Sequence, residues 1–165
     1  MATSEDAILA IRHVVQEHGD AHTRLGRAAR IEGMQWFGRL LGWSWPRNYV
    51  EVLGKHDGVL VQDAIVFGFL ESIDAFLLYH DAWHRPAGYW PVAGDGCGNY
   101  FCLALRQSAG AEEEPVVFFE MIESRDTPAR RVANSYAAFV AKHMRDQCLR
   151  LGCTSAMGGD RPQLR

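Results

Sequence analysis

Apolar residues recur at helical spacing near both ends of the chain, while the middle carries short apolar runs at strand spacing. Ile8, Ile11 and Val15 fall on one face of the first segment, and the pattern predicts a helix over Ser4–His18. Ser4 is placed to cap it, Glu5 and Asp6 suit the positive end of its dipole, and Gly19 stops it. Leu25, Ala28, Ala29, Ile31, Trp36, Phe37, Leu40 and Leu41 partly fit a second helical stripe over Thr23–Leu41. Gly26, Gly33 and Gly38 weaken that stretch, since each costs about 1 kcal/mol relative to alanine within a helix. Pro46 opens a short helix to Lys55, where its missing N–H would be unpaired in any case. Tyr49, Val50 and Leu53 give that helix an inward side, and His56-Asp57-Gly58 has the turn chemistry to end it.

After Gly58 the period shortens. Val59–Val61 and Ala64–Leu70 read as β-favouring runs around the polar pair Gln62-Asp63. Ser72–Trp83 reads as a helix and Tyr89–Ala93 as a strand. Gly94 to Asn99 is a glycine-rich connection, and Tyr100–Leu105 is the strand that follows it. Within that strand Phe101, Leu103 and Leu105 share one side and Tyr100, Cys102 and Ala104 the other. Pro115–Phe119 is apolar on both parities, as a covered central strand would be. The last helix is capped by Asn134 or Ser135 and carries Tyr136, Phe139, Val140, His143, Met144 and Leu151 at helical spacing. Helices, then strands, then a helix define an α+β chain. The expected organisation is one domain over residues 1–151 and a flexible tail over 152–165.

Composition narrows the function. The 165 residues hold 48% hydrophobic and 22% charged side chains with a formal net charge of -3, an ordinary globular balance and a poor match to a basic nucleic-acid-binding domain. The most apolar stretch, Val59 to Tyr79, is broken by Asp63, Glu71 and Asp74, so no segment suits a membrane span. Glu5 and Asp6 stand where a secretory signal carries basic residues, and the expected location is the cytoplasm. Neither nucleic acid nor membrane is an expected partner. Cys97, Cys102, Cys148 and Cys153 form two C-x4-C pairs, unlike the tight knuckles of zinc ribbons. They read as reduced thiols used as small hydrophobes.

Catalytic patterns are sparse. His80 and His84 stand four apart, as metal ligands on a helix can, but Asp81 replaces the glutamate a metalloprotease needs beside the first histidine. Cys97 with His80 or His84 could form a thiol–base pair oriented by Asp57 or Asp81, which makes a small metal- or thiol-dependent hydrolase the rival reading. Gly94-Asp95-Gly96-Cys97-Gly98 lacks the Gly-Lys-Ser/Thr of a phosphate loop, and a strand follows it rather than a helix. No cofactor, metal or catalytic residue is assigned, and the chain reads as a non-enzyme.

Four ordered segments carry a family resemblance. They are Trp45-Pro46-Arg47-Asn48-Tyr49 running to His56-Asp57-Gly58; Val66-Phe67-Gly68; Pro91-Val92-Ala93-Gly94 through Gly98-Asn99-Tyr100 to Leu105; and Pro115-Val116 followed by Ser135-Tyr136 and Phe139. Together they resemble the SUKH superfamily of fungal Smi/Knr cell-wall regulators and bacterial toxin-immunity proteins. The resemblance covers about residues 40–140. It implies a central, mostly antiparallel sheet flanked by N-terminal helices and a C-terminal helix, with Pro46, Tyr49, Gly58, Gly68, Pro91, Gly94, Gly98 and Asn99 serving the frame. It also implies a scaffold for binding rather than catalysis: an immunity protein occluding a cognate toxin encoded by the adjacent gene, or alternatively a regulatory interaction module. Asp57, Glu71, Asp74, Asp81, Trp83 and Asp95 are the expected toxin contacts, because acidic groups steer a basic partner and tryptophan is enriched in interface hot spots. The run Glu112-Glu113-Glu114 reads first as a solvated loop. The tryptophans at 36, 43, 45, 83 and 90 suit a core or a homodimer surface.

Overall fold

In a computed structural model of the chain the described residues are 2–19, 23–62, 64–78, 88–105, 114–120 and 129–153. They form helices α1 (Ser4–His18), α2 (Ile31–Leu41), α3 (Arg47–Leu53), α4 (Phe69–Leu78) and α5 (Tyr136–Arg150). The strands are β1 (Thr23–Leu25), β2 (Val59–Val61), β3 (Ala64–Val66), β4 (Tyr89–Gly94), β5 (Tyr100–Ala104), β6 (Val116–Phe119) and β7 (Arg130–Ala133). All seven pair antiparallel in sequence order. This is the α+β architecture expected, with helices at both ends of the chain. Among the described residues no helix is long and apolar enough to cross a membrane.

The helices α1, α3 and α5 pack on one another, and their apolar faces meet the inward side of the sheet in one core. Ala7, Ala10, Ile11 and Val14 of α1 are buried there with Phe139, Val140 and Met144 of α5. The parity of β5 places Leu103 and Leu105 in this core, with Phe101 packed against it. Cys102 faces away and is nonetheless buried, as its reading as a small hydrophobe requires. The α1 cap is Thr3 rather than Ser4: Thr3 Oγ1 accepts from Asp6 N–H at 3.2 Å while Asp6 Oδ2 accepts from Thr3 N–H at 2.7 Å. Ser4 Oγ instead donates to Glu51 Oε2 at 2.6 Å.

Three expectations fail for physical reasons. The continuous helix over Thr23–Leu41 is a strand followed by a helix. Thr23, Arg24 and Leu25 pair with Val61, Leu60 and Val59, and Gly26 N–H donates to Gly58 O at 3.0 Å. A Cβ on Gly26 would sit 1.8 Å from the Asp57 carbonyl oxygen, so strand addition at the β2 edge, and not local propensity, sets this segment. The run Ala64–Leu70 ends as a strand at Val66, and α4 starts early, at Phe69, because the Asp57 carboxylate accepts Phe69 N–H at 2.5 Å. Strand β7 was not expected. Its Arg130 and Arg131 are exposed, the charged edge that blunts sheet-to-sheet pairing and erases the apolar alternation.

The cysteine reading also needs correction. Cys148 and Cys153 are joined by a disulfide. Gly152 leaves α5 at φ +72°, and Gly152 N–H and Cys153 N–H donate to Leu149 O and Cys148 O at 3.3 and 3.0 Å. This paired cap of a helix C-terminus folds the chain back until the two Cα atoms are 5.1 Å apart, within disulfide range. The last four residues of C-x4-C therefore encode a local closure. Residues beyond Cys153 lie outside the described residues.

Candidate functional site

The aromatic side chains set the shape of the candidate site. Trp90, fully buried on β4, is ringed by Phe37, Trp43, Trp45, Phe69 and Phe76 at centroid distances of 4.8–6.2 Å. Trp45 Nε1 donates to Met34 O at 2.6 Å, which ties the approach to α3 onto α2. Phe37 of α2 meets Phe69 of α4 with ring centroids 5.9 Å apart, and residues of both helices line a cleft of about 410 Å³. Gly33, Trp36 and Phe37 line it from α2; Phe69, Leu70 and Ile73 line it from α4.

The outer faces of the two helices carry large apolar side chains among the polar ones, Glu32, Gln35 and Arg39 on α2 and Glu71 and Asp74 on α4. Trp36 and Leu40 lie one turn apart on α2, and Leu70 and Leu77 lie two turns apart on α4. With Leu78 these five side chains are 57–76% exposed. Scattered exposed leucines need no explanation, but Trp36 and Leu70 stand on the two walls of one cleft, an arrangement that suits an interaction site. Sequence reasoning fitted Trp36 and Leu40 partly to a helical stripe, left Trp36 open between a core and a homodimer surface, and put Leu70 at the end of a β-favouring run. The available signal was surplus: α2 buries Met34 and Gly38 and half-buries Phe37 and Leu41, so Trp36 and Leu40 form a second apolar row that the core does not use.

Two of the expected contacts, Asp57 and Glu71, come together beside this cleft, whose lining also includes Arg30. Asp57 lines the cleft, and the Asp57 and Glu71 carboxylates both approach Gly68, at 2.9 and 2.5 Å from where its Cβ would stand. Desolvation raises the Asp57 pKa, and the Glu71 charge adds to the rise against the Phe69 N–H bond. Asp74 follows Glu71 by three positions on α4 and so shares its side of the helix. Asp57 thus has a structural duty, capping α4, as well as a place in the cleft wall.

Asp95 is held elsewhere, in the turn between β4 and β5. Its Oδ1 accepts from Cys97 N–H at 2.8 Å and Asn99 N–H at 3.1 Å, and its Oδ2 accepts from Asn99 Nδ2 at 2.7 Å. Desolvation works against the charge, yet these bonds from Asn99 and Cys97 hold the carboxyl below its ordinary value. Gly96 and Gly98 take positive φ in this turn; Asn99 serves it by its side chain and does not adopt the left-handed conformation. Asp95 lines a second, more polar cleft of about 460 Å³, shared with Arg130, Lys142, His143, Asp146 and Arg150. Cys97 is exposed on the turn. Asp81 and Trp83, and the His80 and His84 of the hydrolase reading, lie outside the described residues. So do Glu112 and Glu113; Glu114 is buried at the head of β6 rather than in a solvated loop.

The family model of the SMI1 / KNR4 family (SUKH-1) matches residues 30–142. The match runs from the N-terminus of α2 into α5, about two thirds of the chain, and the chain belongs to this family. No curated protein matches it.

Proposed function

We propose that the chain is an immunity protein, which binds a cognate toxin encoded by the adjacent gene and neutralises it by covering its working surface in the cytoplasm. The observation that carries this reading is the apolar α2–α4 surface, with exposed Trp36 and Leu70 facing a cleft inside the span that the family model matches. Occlusion needs a docking surface and no catalysis: an interface of about 1,600 Å² in total, with a few aromatic anchors at its centre. Trp36 has the size and exposure of such an anchor. Asp57, Glu71 and Asp74 give the site a negative side, and complementary charge raises encounter rates from about 10⁵–10⁶ to about 10⁸–10⁹ M⁻¹s⁻¹ at low salt. That speed favours capture of a toxin before it acts.

Co-expression with the neighbouring gene product and size-exclusion chromatography test the reading. A single co-eluting complex supports it. Separate elution of the two proteins at micromolar concentration removes it.

A further inference from the structure

The packing of α1 on α5 brings a second chemistry together, outside the matched family span. One ring nitrogen of His13 and the sulfurs of Cys148 and Cys153 lie within 4.8 Å of one another. His18 Nε2, at the end of α1, is 3.2 Å from Cys153 Sγ. His13 Nε2 is buried without a hydrogen-bond partner, a costly state for a polar atom unless something else satisfies it. Two imidazoles and two sulfurs are the donor set of a closed tetrahedral zinc site. With Zn–S near 2.3 Å and Zn–N near 2.0–2.1 Å, its ligand atoms stand roughly 3.3–3.8 Å apart. His13, Cys148 and Cys153 already meet, and His18 reaches the cluster through Cys153; once the disulfide opens, the two sulfurs separate and His18 turns in to complete the set.

We infer that His13, His18, Cys148 and Cys153 form a zinc-binding site that opens when the Cys148–Cys153 disulfide is reduced. The disulfide and the metal are alternatives, because a sulfur bonded to its partner is not a thiolate ligand. Two electrons and two protons from a dithiol reductant convert the S–S bond to two thiols, and zinc then displaces the two thiol protons as it binds. A disulfide oxidant reverses this: it takes two electrons from the thiolates, the S–S bond re-forms and zinc leaves to water. Reducing compartments keep most protein thiols open, so there the metal would take over the disulfide's task of fastening the end of α5 to α1. All four residues fall outside residues 30–142, the span that the family model matches.

The test uses the full chain, stripped of metal, in phosphine-reduced and oxidised forms, titrated with zinc ion against a chromophoric chelator. One equivalent should bind to the reduced form and none to the oxidised form. Cobalt ion in the reduced wild type should give the near-ultraviolet charge-transfer absorption of thiolate ligation, a readout that depends on no variant. Even partners that only orient ligands are worth about 10–100-fold in affinity, so Cys153→Ser and His13→Gln should each weaken zinc by at least that much. Cys153 lies beyond α5 and only partly buried, which makes Cys153→Ser the variant least able to disturb the fold. Failure of the reduced wild type to bind one equivalent, equal binding by both redox forms, or unchanged affinity in Cys153→Ser overturns the inference.

Discussion

Trp90 Nε1 donates a 2.8 Å hydrogen bond to the hydroxyl of Tyr49, from β4 to α3 across the centre of the core. Both side chains are wholly buried. Tyr49 also packs edge-on against Tyr136 of α5, with ring centroids 4.8 Å apart. Tyr49 therefore joins the proline-led helix to the sheet by a hydrogen bond and to the C-terminal helix by ring packing. Burial lifts the Tyr49 hydroxyl well above the ordinary phenol range, so it stays a neutral acceptor at any working pH.

Tyr49→Phe removes the acceptor and leaves the Trp90 N–H buried and unpaired. An orphaned buried donor costs about 1–3 kcal/mol, and for a chain of this size each kcal/mol lowers Tm by roughly 2–4 °C. Urea unfolding of Tyr49→Phe should show a lower midpoint with an unchanged slope. A midpoint equal to that of the wild type would mean that the bond contributes nothing net.

Two glycines of α2 should respond in opposite directions to the same substitution. Alanine is favoured over glycine in a helix interior by about 0.8–1.0 kcal/mol. At Gly33 the nearest atom to a new Cβ is Arg30 Cβ at 4.0 Å, so Gly33→Ala should stabilise by roughly 0.5–1 kcal/mol. At Gly38 the Cβ would lie 2.7 Å from Trp45 Nε1 and 2.8 Å from Trp43 O. Backbone cannot yield there without disturbing the Trp45–Met34 bond, and overpacking costs about 1–3 kcal/mol. Gly38→Ala should therefore destabilise despite its propensity gain; a higher Tm for it would contradict the packing argument.

What the sequence made legible divides by range. The β4–β5 hairpin could be read because its determinants, Asp95 to Asn99, are neighbours that bond to one another. The helix start near Pro46 could be read because it is a local event, though Pro46 stands just before the helix rather than in its first turn and the helix ends at Leu53, short of Lys55. Strand β1 could not, since its conformation is decided by pairing with residues 34–38 positions further on. The α5 cap shows a middle case: C-x4-C around Gly152 holds the information, but only the left-handed turn at Gly152 makes the pair visible. Of the acidic residues that charge singled out, Asp57 lines the α2–α4 cleft and Glu71 stands near it at Gly68, while helical periodicity left Trp36 open between the core and a surface. Which of two apolar rows on α2 faces inward depends on Trp43, Trp45 and Trp90, and no pattern within α2 carries that.

His143 gives the fold an acid-sensitive point. Its ring stacks on Phe139 at 5.3 Å and lies 5.9 Å from Phe101, and its Nε2 has no hydrogen-bond partner. Desolvation lowers its pKa to about 4, with Asp146 pulling it up and Arg150 and Lys142 pushing it down. Below pH 6.5 the unfolded chain takes up a proton that the folded chain refuses. Stability from this residue is thus full above 6.5 and is lost as pH falls through the folded value, by at most about 3 kcal/mol. His143→Phe keeps the stack and removes the titration, so its stability should fall less than that of the wild type between pH 6.5 and 4. Parallel profiles for the two proteins would rule His143 out as the cause.

The α2–α4 surface makes the sharpest demand on the proposed function, because its residues can be changed with little effect on the fold. Trp36 and Leu70 are 59% and 69% exposed, so Trp36→Ala and Leu70→Asp should leave Tm nearly unchanged. A hot-spot residue is worth at least about 2 kcal/mol, or roughly 30-fold in Kd. Each variant should lose that much affinity for the toxin, mostly through faster dissociation. Neutralising the acidic side with Glu71→Gln and Asp74→Asn should instead slow association at low salt and matter little at high salt. The two kinds of variant thus separate anchoring from steering by surface plasmon resonance across a salt series. If Trp36→Ala and Leu70→Asp bind the toxin as the wild type does, the partner docks on another face, and the cleft between α2 and α4 is not its site.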